Sequence, residues 1–301
     1  MAAPAVTGLL NVNKSRGPTS HDVVAVARRA LGTTRVGHAG TLDPRARGVL
    51  PLLVGTATRL ARFFVAYRKR YEAVIKLGAE TASGDDEGEV LYERPVAPAA
   101  FEKAPAAARS FLGEITQEVP VYAAVKQGGE PLYRRARRGE VVTPPSRPVT
   151  IFALDVVAIA PPTLTIVVEC SAGTYIRALA RDLGRQLGTG GYLVDLCRLA
   201  VGPFALADAL AEERLRQGDA AALTARPHFT PTAELLPDMP AETLSPAAAA
   251  DFSHGRPFPL ASWLRPGAFV RCRDEAGELL GIAVALGGGR ARPDTVLVPA
   301  P

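Results

Sequence analysis

The sequence predicts an α+β fold with a separate small β-barrel at its C-terminal end. Three observations lead there. Stretches of strict alternation, such as Tyr71, Ala73, Ile75 and Leu77 on one face, mark strands. Between them stand stretches of helical spacing, such as Ile176, Leu179, Ala180, Leu183 and Leu187. After residue 240 the texture changes to short strand-like runs cut by glycine turns. With 301 residues, 48% of them hydrophobic, the chain suffices for one large domain or two ordinary ones.

Residues 1–8 are small and featureless, and Gly8 to Asn13 reads as a strand. Lys14 to Ser20 is a turn, after which Thr19 or Ser20 caps a helix with Asp22 in its first turn. Val23, Val24, Val26, Ala27, Ala30 and Leu31 form its apolar face, and Gly32 ends it. The next stretch, RVGHAGTLDPRARGVLPLLVGTATRL from Arg35 to Leu60, organises the rest. Gly37, Gly40 and Gly48 permit positive φ or close backbone approach. Pro44 pushes Asp43 towards an extended conformation on a tight turn. Arg45 and Arg47 flank it, and a neighbouring guanidinium favours a charged carboxylate. Val49 to Val54 anchors the loop in a core. A single carboxylate held this way suits a nucleophile or a base. It also suits a turn or helix cap, since Asp-Pro commonly opens turns.

Thr56 to Ala66 reads as a short helix and Arg68 to Gly78 as a strand. Residues 80–89, ETASGDDEGE, make an acidic hairpin or loop before a strand at Val90 to Glu93. Residues 95–112 are Ala-rich and partly helical, with Ala104, Ala108, Phe111 and Leu112 on the buried side. Pro105 either opens this helix or breaks it, which would leave Phe101 in a separate turn. Residues 117–150 hold Gly128-Gly129, Pro144-Pro145 and the arginines Arg134, Arg135, Arg137 and Arg138. Pro131 to Gly139 reads as a short basic helix closed by glycine. Such a run is either a solvated face or, beside Tyr122, Lys126 and Tyr133, a flap that contacts phosphates.

Val149 to Ala160 and Thr163 to Cys170 are strands, Gly173 marks a tight turn, and Tyr175 to Leu187 is a helix. Arg177 lies in the first turn of that helix, where a cation opposes the dipole and needs a carboxylate from elsewhere. Gly190 to Pro203 carries a strand into a turn. Residues 206–240, broken by Pro227, Pro231, Pro237 and Pro240, read as the end of the main domain and a linker. A helix from Leu244 to Phe252 follows. Strands then follow at Gly255 to Leu260, Phe269 to Cys272, Leu279 to Leu286 and Thr295 to Val298.

The net charge of +5 is unevenly spread. Residues 1–78 carry +10 and residues 120–150 carry +4, which leaves −9 for the remainder. Basic charge gathered in two stretches is a polyanion footprint. Cys170, Cys197 and Cys272 are odd in number and widely spaced, with no Cys-x-x-Cys pair. That argues against a disulfide framework or a zinc site and fits a reducing cytoplasm. No signal segment and no apolar run of membrane-spanning length is present. Nor is there a phosphate-binding Gly-x-x-x-x-Gly-Lys loop, a His-Glu-x-x-His pair or a metal-spaced carboxylate cluster.

The run GHAGTLDPRARGVLPLLVGTATRL resembles the catalytic motif of the TruB-type tRNA pseudouridine synthases. KRYEA at 69–73, GTYIR at 173–177 and LCRLAVG at 196–202 are similar to further motifs of that family. NKSRGPTS departs from it by Ser15 in place of a proline, and PVYAAVK by Ala123 in place of a serine. The resemblance implies a pseudouridine-synthase fold, with a mixed, largely antiparallel central sheet flanked by helices. It implies a catalytic domain over residues 1–236, a thumb-loop insertion at 117–150 and a PUA-like RNA-binding domain over 237–301. Asp43 becomes the essential aspartate, Arg177 its ion-pair partner and Tyr71 the ring stacked on the target uracil. His38 packs against extruded bases, Tyr175 contacts the uracil and Leu196 walls its pocket. Lys14 and Arg198 join the substrate site, while Lys126, Arg134, Arg135, Arg137 and Arg138 meet the RNA backbone.

The implied activity is conversion of uridine 55 in the T loop of tRNA to pseudouridine, by base flipping and an aspartate-dependent C–N to C–C exchange. No metal or cofactor is expected, and no protein partner. A cytoplasmic monomer with no membrane association is expected. Three rivals stand beside it: a non-catalytic RNA binder or chaperone, the guide-RNA-dependent branch of the same superfamily, and an aspartate-based hydrolase unrelated to RNA. The insertion at 117–150 favours the stand-alone type over the guide-dependent branch. The basic stretches and the lack of a second paired acid disfavour the hydrolase.

Overall fold

A computed structural model describes residues 6–122, 125–127, 129–138, 140, 142–217, 220–260 and 264–298. The chain divides into two compact units. Residues 1–44, 49–65 and 206–301 form the first, and residues 45–48 and 66–205 the second.

The first unit begins with β1 (Gly8–Lys14) and α1 (Ser20–Ala30). Of the two candidate caps it is Thr19 that starts the helix. Its hydroxyl accepts from Asp22 N at 3.1 Å, and the Asp22 carboxylate accepts from Thr19 N at 2.8 Å. This reciprocal pair satisfies two helix-end donors. The Thr19 hydroxyl, which donates to the Asp22 carboxylate at 2.7 Å, and then the Thr19 N–H hold that carboxyl below its ordinary value. Val23, Val24, Val26 and Ala27 are buried, as their spacing requires. β2 (Val36–His38) runs antiparallel to β3 (Arg47–Val54), with Val36 opposite Val54 and His38 opposite Leu52. Gly48 to Val54 are all buried, which anchors the loop between the two strands. The helix expected over residues 56–66 is a 3-10 turn at Gly55–Leu60 running into the short α2 (Ala61–Val65).

In the second unit, β4 (Lys69–Leu77) alternates strictly, with Tyr71, Ala73, Ile75 and Leu77 facing the core. β5 (Ala79–Thr81) and β6 (Val90–Glu93) form the acidic hairpin. α3 (Pro98–Arg109) opens on Pro98 and carries Pro105 in its interior, so Pro105 neither opens nor breaks it. An interior proline costs roughly 3 kcal/mol, which burial of Phe101, Ala104 and Ala108 along one face offsets. Because the helix stops at Arg109, Leu112 leaves the buried spacing and is 46% exposed, contrary to expectation. β7 (Gly113–Glu118) is followed by the two-residue strands β8 (Lys126–Gln127) and β9 (Glu130–Pro131) and by α4 (Leu132–Arg137). Ala123, Gly128 and Gly139 lie outside the described residues.

β10 (Ser146–Ala160), β11 (Thr163–Cys170), α5 (Ile176–Gln186), β12 (Gly191–Val201) and β13 (Phe204–Ala205) complete this unit. Its sheet has the order β12-β4-β11-β10-β7 with every neighbour antiparallel. α5 packs so tightly on β12 that a Cβ on Gly184 would lie 2.2 Å from Gly191 N.

The chain then returns to the first unit. β14 (Leu210–Ala211) pairs parallel with β1, and α6 (Glu212–Leu215) and α7 (Ala220–Leu223) lead to β15 (Phe229–Pro231), antiparallel to β1. These two strands extend the sheet around β1, so this part of the proline-rich stretch is structured rather than linker. β16 (Ala241–Thr243), α8 (Pro246–Ser253), β17 (Phe258–Pro259), β18 (Phe269–Arg273), β19 (Leu279–Gly287) and β20 (Arg290–Val296) follow. Their sheet has the order β16-β18-β19-β20-β17 around a core of Phe252, Phe258, Val270, Cys272 and Ala283. It is a curled half-barrel rather than a closed barrel, since the described end strands β16 and β17 pair only on their inner sides. Arg62 bonds Asp294, and its guanidinium lies 4.7 Å from the Phe63 ring centroid and 5.5 Å from that of Phe269. Among the described residues no helix is long and apolar enough to cross a membrane.

Candidate active site

In the first unit, the loop between β2 and β3 carries Asp43, half-buried, just before the turn at Pro44 and Arg45. No helix follows, so Asp43 is not a helix cap. The turn after β1 and the start of α1 clamp this loop. Ser20 Oγ donates to Leu42 O and accepts from Leu42 N, both at 2.9 Å. Pro44 O accepts from Gly17 N at 2.9 Å and from Lys14 Nζ at 3.3 Å. Lys14 is fully buried and also donates to Ser15 O at 2.8 Å. A buried ammonium needs such carbonyls, because desolvation without partners is costly. The residues on either side of Asp43 are thus fixed by backbone hydrogen bonds, which limits the places its carboxylate can reach.

Ser15, which replaces a rigid proline, has its own anchor. Its N–H and hydroxyl both donate to Glu212 Oε2, at 2.8 and 2.7 Å. Glu212 is buried at the start of α6 and carries no motif, so the sequence offered no signal for it. Gly40 takes φ +119 and Gly48 φ +107, as expected, whereas Gly37 sits in β2 with neither positive φ nor crowding. His38, at the end of β2, meets the ring of His21 edge to face, with centroids 5.1 Å apart.

The second unit brings Tyr71, Leu196 and Arg198 together. Arg198 on β12 lies opposite Tyr71 on β4, and Leu196 lies opposite Ala73. Tyr71 is 8% exposed and Arg198 1%, so both are held by the sheet. Gly48 pairs with Arg198, and a Cβ there would stand 2.3 Å from Arg198 O. Only glycine fits. Lys69 shares the inward face of β4, and its Nζ donates to Tyr67 O at 2.6 Å. Burial, and then the charge of Arg198, push its ammonium down to about 8.

Arg45 and Arg47, which flank Asp43 in the chain, have carboxylate partners of their own in the second unit. Arg45 pairs with Asp86 at 2.6 Å, and Arg47 with Asp195 at 3.3 Å and Glu72 at 3.9 Å. Their guanidinium groups are engaged by carboxylates of the second unit, to which residues 45–48 belong.

Tyr175 is the N-cap residue of α5, and its backbone is gripped by Gln117. Tyr175 N donates to Gln117 Oε1 at 2.7 Å, and Gln117 Nε2 donates to Tyr175 O at 3.0 Å. Arg147 stands 5.5 Å over the Tyr175 ring. Arg177 is 7% exposed. It donates to Ser83 O at 3.1 Å and Tyr122 O at 3.2 Å, and its Nη1 lies 3.5 Å from Asp85 Oδ2. The carboxylate its position called for is thus supplied, in part, by the acidic hairpin. Asp85 is itself held, since its carboxylate accepts from Ser83 Oγ and from Glu87 N. Gln117 and Asp85 were missed by sequence reasoning.

In the flap, Arg138 forks onto Glu130 at 2.5 and 2.8 Å and reaches Glu140 at 2.7 Å. Arg135 pairs with Glu140 at 2.8 Å, and Arg134 is exposed. The side chains of Lys126 and Arg137 lie outside the described residues.

The first unit thus offers a carboxylate on a clamped loop, and the second a buried aromatic face and buried cations, residue types that suit chemistry on a flipped base. Residues 28–176 match the model of the TruB family pseudouridylate synthase (N terminal domain), and residues 240–297 match Pseudouridine synthase II TruB, C-terminal. The chain is 42% identical to the tRNA pseudouridine synthase B of Ralstonia pickettii, covering 97% of this chain and 94% of that protein. It is 41% identical to that of Burkholderia mallei, covering 99% of each. A solved Cbf5-Nop10-Gar1 complex has a chain of like fold, with TM-score 0.74 and 25% identity over 97% of this chain and 85% of that one. An H/ACA RNP bound to a substrate RNA has another, with TM-score 0.72 and 22% identity over 97% and 86%. The α+β fold with its mixed strands and C-terminal half-barrel is therefore the pseudouridine-synthase fold.

Proposed function

The chain belongs to the TruB family of pseudouridylate synthases and isomerises uridine to pseudouridine in tRNA, and from that premise we propose that its target is uridine 55 in the T loop. The observation that carries the mechanistic part is the clamped loop bearing Asp43. The reaction breaks a glycosidic C–N bond, turns the uracil and rejoins it through carbon. Asp43 acts on the sugar as nucleophile or as charge stabiliser while that bond is broken. Arg177, presented by α5, pairs with Asp43 and keeps it charged. Tyr71 stacks on the uracil, a contact of about 1–3 kcal/mol. Tyr175 and Leu196 complete the uracil pocket, and Lys14 and Arg198 hold the nucleotide. His38 fills the gap left by extruded bases, offsetting part of an unstacking cost of roughly a few kcal/mol.

Residues 1–236 act as the catalytic domain, with residues 117–150 as a thumb that closes over the T stem-loop. Residues 237–301 act as a PUA-like RNA-binding domain. The enzyme works as a cytoplasmic monomer. A guide-dependent mode is the second reading, because the similar solved structures include an H/ACA RNP bound to a substrate RNA. The basic helix α4 within the flap supports the stand-alone reading instead. Incubating the purified protein with an unmodified tRNA transcript, then mapping pseudouridine by carbodiimide-stop primer extension, tests both. A stop at position 55 without added RNA is the expected result. A stop elsewhere overturns the site assignment, and a requirement for a second RNA overturns the stand-alone reading.

A further inference from the structure

His21 was not among the residues that the motifs single out, yet it touches one of them. It lies in the first turn of α1, exposed, and its ring packs edge to face on His38, with centroids 5.1 Å apart and planes at 85°. The turn that carries it is docked onto the Asp43 loop by the reciprocal Ser20–Leu42 hydrogen bonds at 2.9 Å. Its helix start is fixed by the Thr19–Asp22 capping box. His21 is therefore a ring on a rigid support, and His38 is a ring at the end of a three-residue strand. An edge-to-face aromatic contact favours particular relative orientations, so a ring carried on a fixed helix start biases the orientation of the other.

We propose that His21 is a positioning residue for His38. Its ring holds the His38 imidazole in the orientation that packs against the extruded RNA bases. This rests on the reading of His38 given above. The task needs no charge at position 21, because the contact is between rings. An aromatic residue without a charge serves, and a flexible cation does not.

The test is a double-mutant cycle read by single-turnover rate at saturating enzyme and by tRNA affinity on the same preparations. His21→Ala lowers the rate about two- to tenfold, the factor that corresponds to an ordinary aromatic pair, and leaves tRNA affinity unchanged. His21→Phe recovers most of that loss, while His21→Lys does not. In a His38→Ala background, His21→Ala adds nothing. Additive losses in the cycle overturn the proposal, as does a wild-type rate for His21→Ala when His38→Ala is impaired. So does weaker tRNA binding at an unchanged rate, rescued by His21→Lys, which identifies a phosphate contact instead. A His38→Ala variant of wild-type rate and affinity overturns the reading of His38 and the proposal with it.

Discussion

The candidate site and the flap are both rich in cations, but they keep them in different ways. Lys14, Lys69, Arg177 and Arg198 are nearly or fully buried and sit on strands or in a helix's first turn. Lys14, Lys69 and Arg177 donate to backbone carbonyls. Arg134 and Arg138 of the flap are exposed, and Arg138 is closed in by Glu130 and Glu140. Exposed pairs of that kind contribute little to stability, and a paired arginine has less charge to offer a phosphate than an unpaired one. Buried cations fix geometry; exposed ones offer replaceable charge to a polyanion. The pairs also show where the acidic charge of residues 120–150 goes, because Glu130 and Glu140, already counted in the net +4, both sit on Arg135 or Arg138, and among the described residues neither pairs with Arg134.

The sharpest way to break this contrast is to keep a buried charge and change its shape. Arg177→Lys loses the planar fork that reaches Ser83, Tyr122 and Asp85 together. The single-turnover rate should fall about a hundredfold, the cost of a small misplacement in a catalytic array, with tRNA affinity nearly intact. A rate within twofold of wild type would show that charge alone suffices there.

Lys69 tests the cost of such burial. Its folded value of about 8 lies below the ordinary 10.5, so between those values the unfolded chain holds a proton that the folded one has released. Stability therefore rises with pH across that window, and below it the folded state bears the cost of a buried charge. Lys69→Met should remove the rise, changing the gap to wild type by on the order of 2 kcal/mol between about pH 7 and about pH 10 in urea unfolding. Parallel pH curves for the two proteins would mean that Lys69 is well solvated when folded.

Asp85→Asn should do less. It weakens one charge-assisted contact to Arg177 while the carbonyl partners remain, so the rate should fall about tenfold. No change would leave Asp85 as a residue that shapes the hairpin through Ser83 and Glu87. The smallest effects belong to the flap, where position decides. Arg134→Ala should reduce the slope of log affinity against log salt by close to one counterion, and Arg138→Ala by clearly less. Equal reductions would show that the Glu130 and Glu140 pairs open when tRNA binds.

Much of this was legible in the sequence because local rules carried it. The Thr19 cap, the alternation of β4 and the basic helix α4 are each set by residues close in the chain. Resemblance then supplied the roles proposed for Asp43, Tyr71 and Arg177. The partners that position them were not legible, since they come from afar. Gln117 grips Tyr175 across 58 residues, Ser83 meets Arg177 across 94, and Glu212 reaches Ser15 across 197. No periodicity announces a side chain whose only distinction is where the fold delivers it. Pro105 and residues 206–231 misled for the opposite reason. Local rules read breaks there, and tertiary burial and pairing to β1 overrode them.

The central claim is that Asp43 supplies the chemistry and the basic surface supplies the affinity. Asp43→Asn keeps the side chain's size and removes its charge and its nucleophile. Single-turnover conversion of a tRNA transcript and tRNA affinity, measured on one preparation, separate the two contributions. The account predicts no detectable pseudouridine with an affinity within about threefold of wild type, because phosphate contacts dominate binding. Turnover near the wild-type rate would contradict it, and the enzymatic roles assigned around Asp43 would fall together.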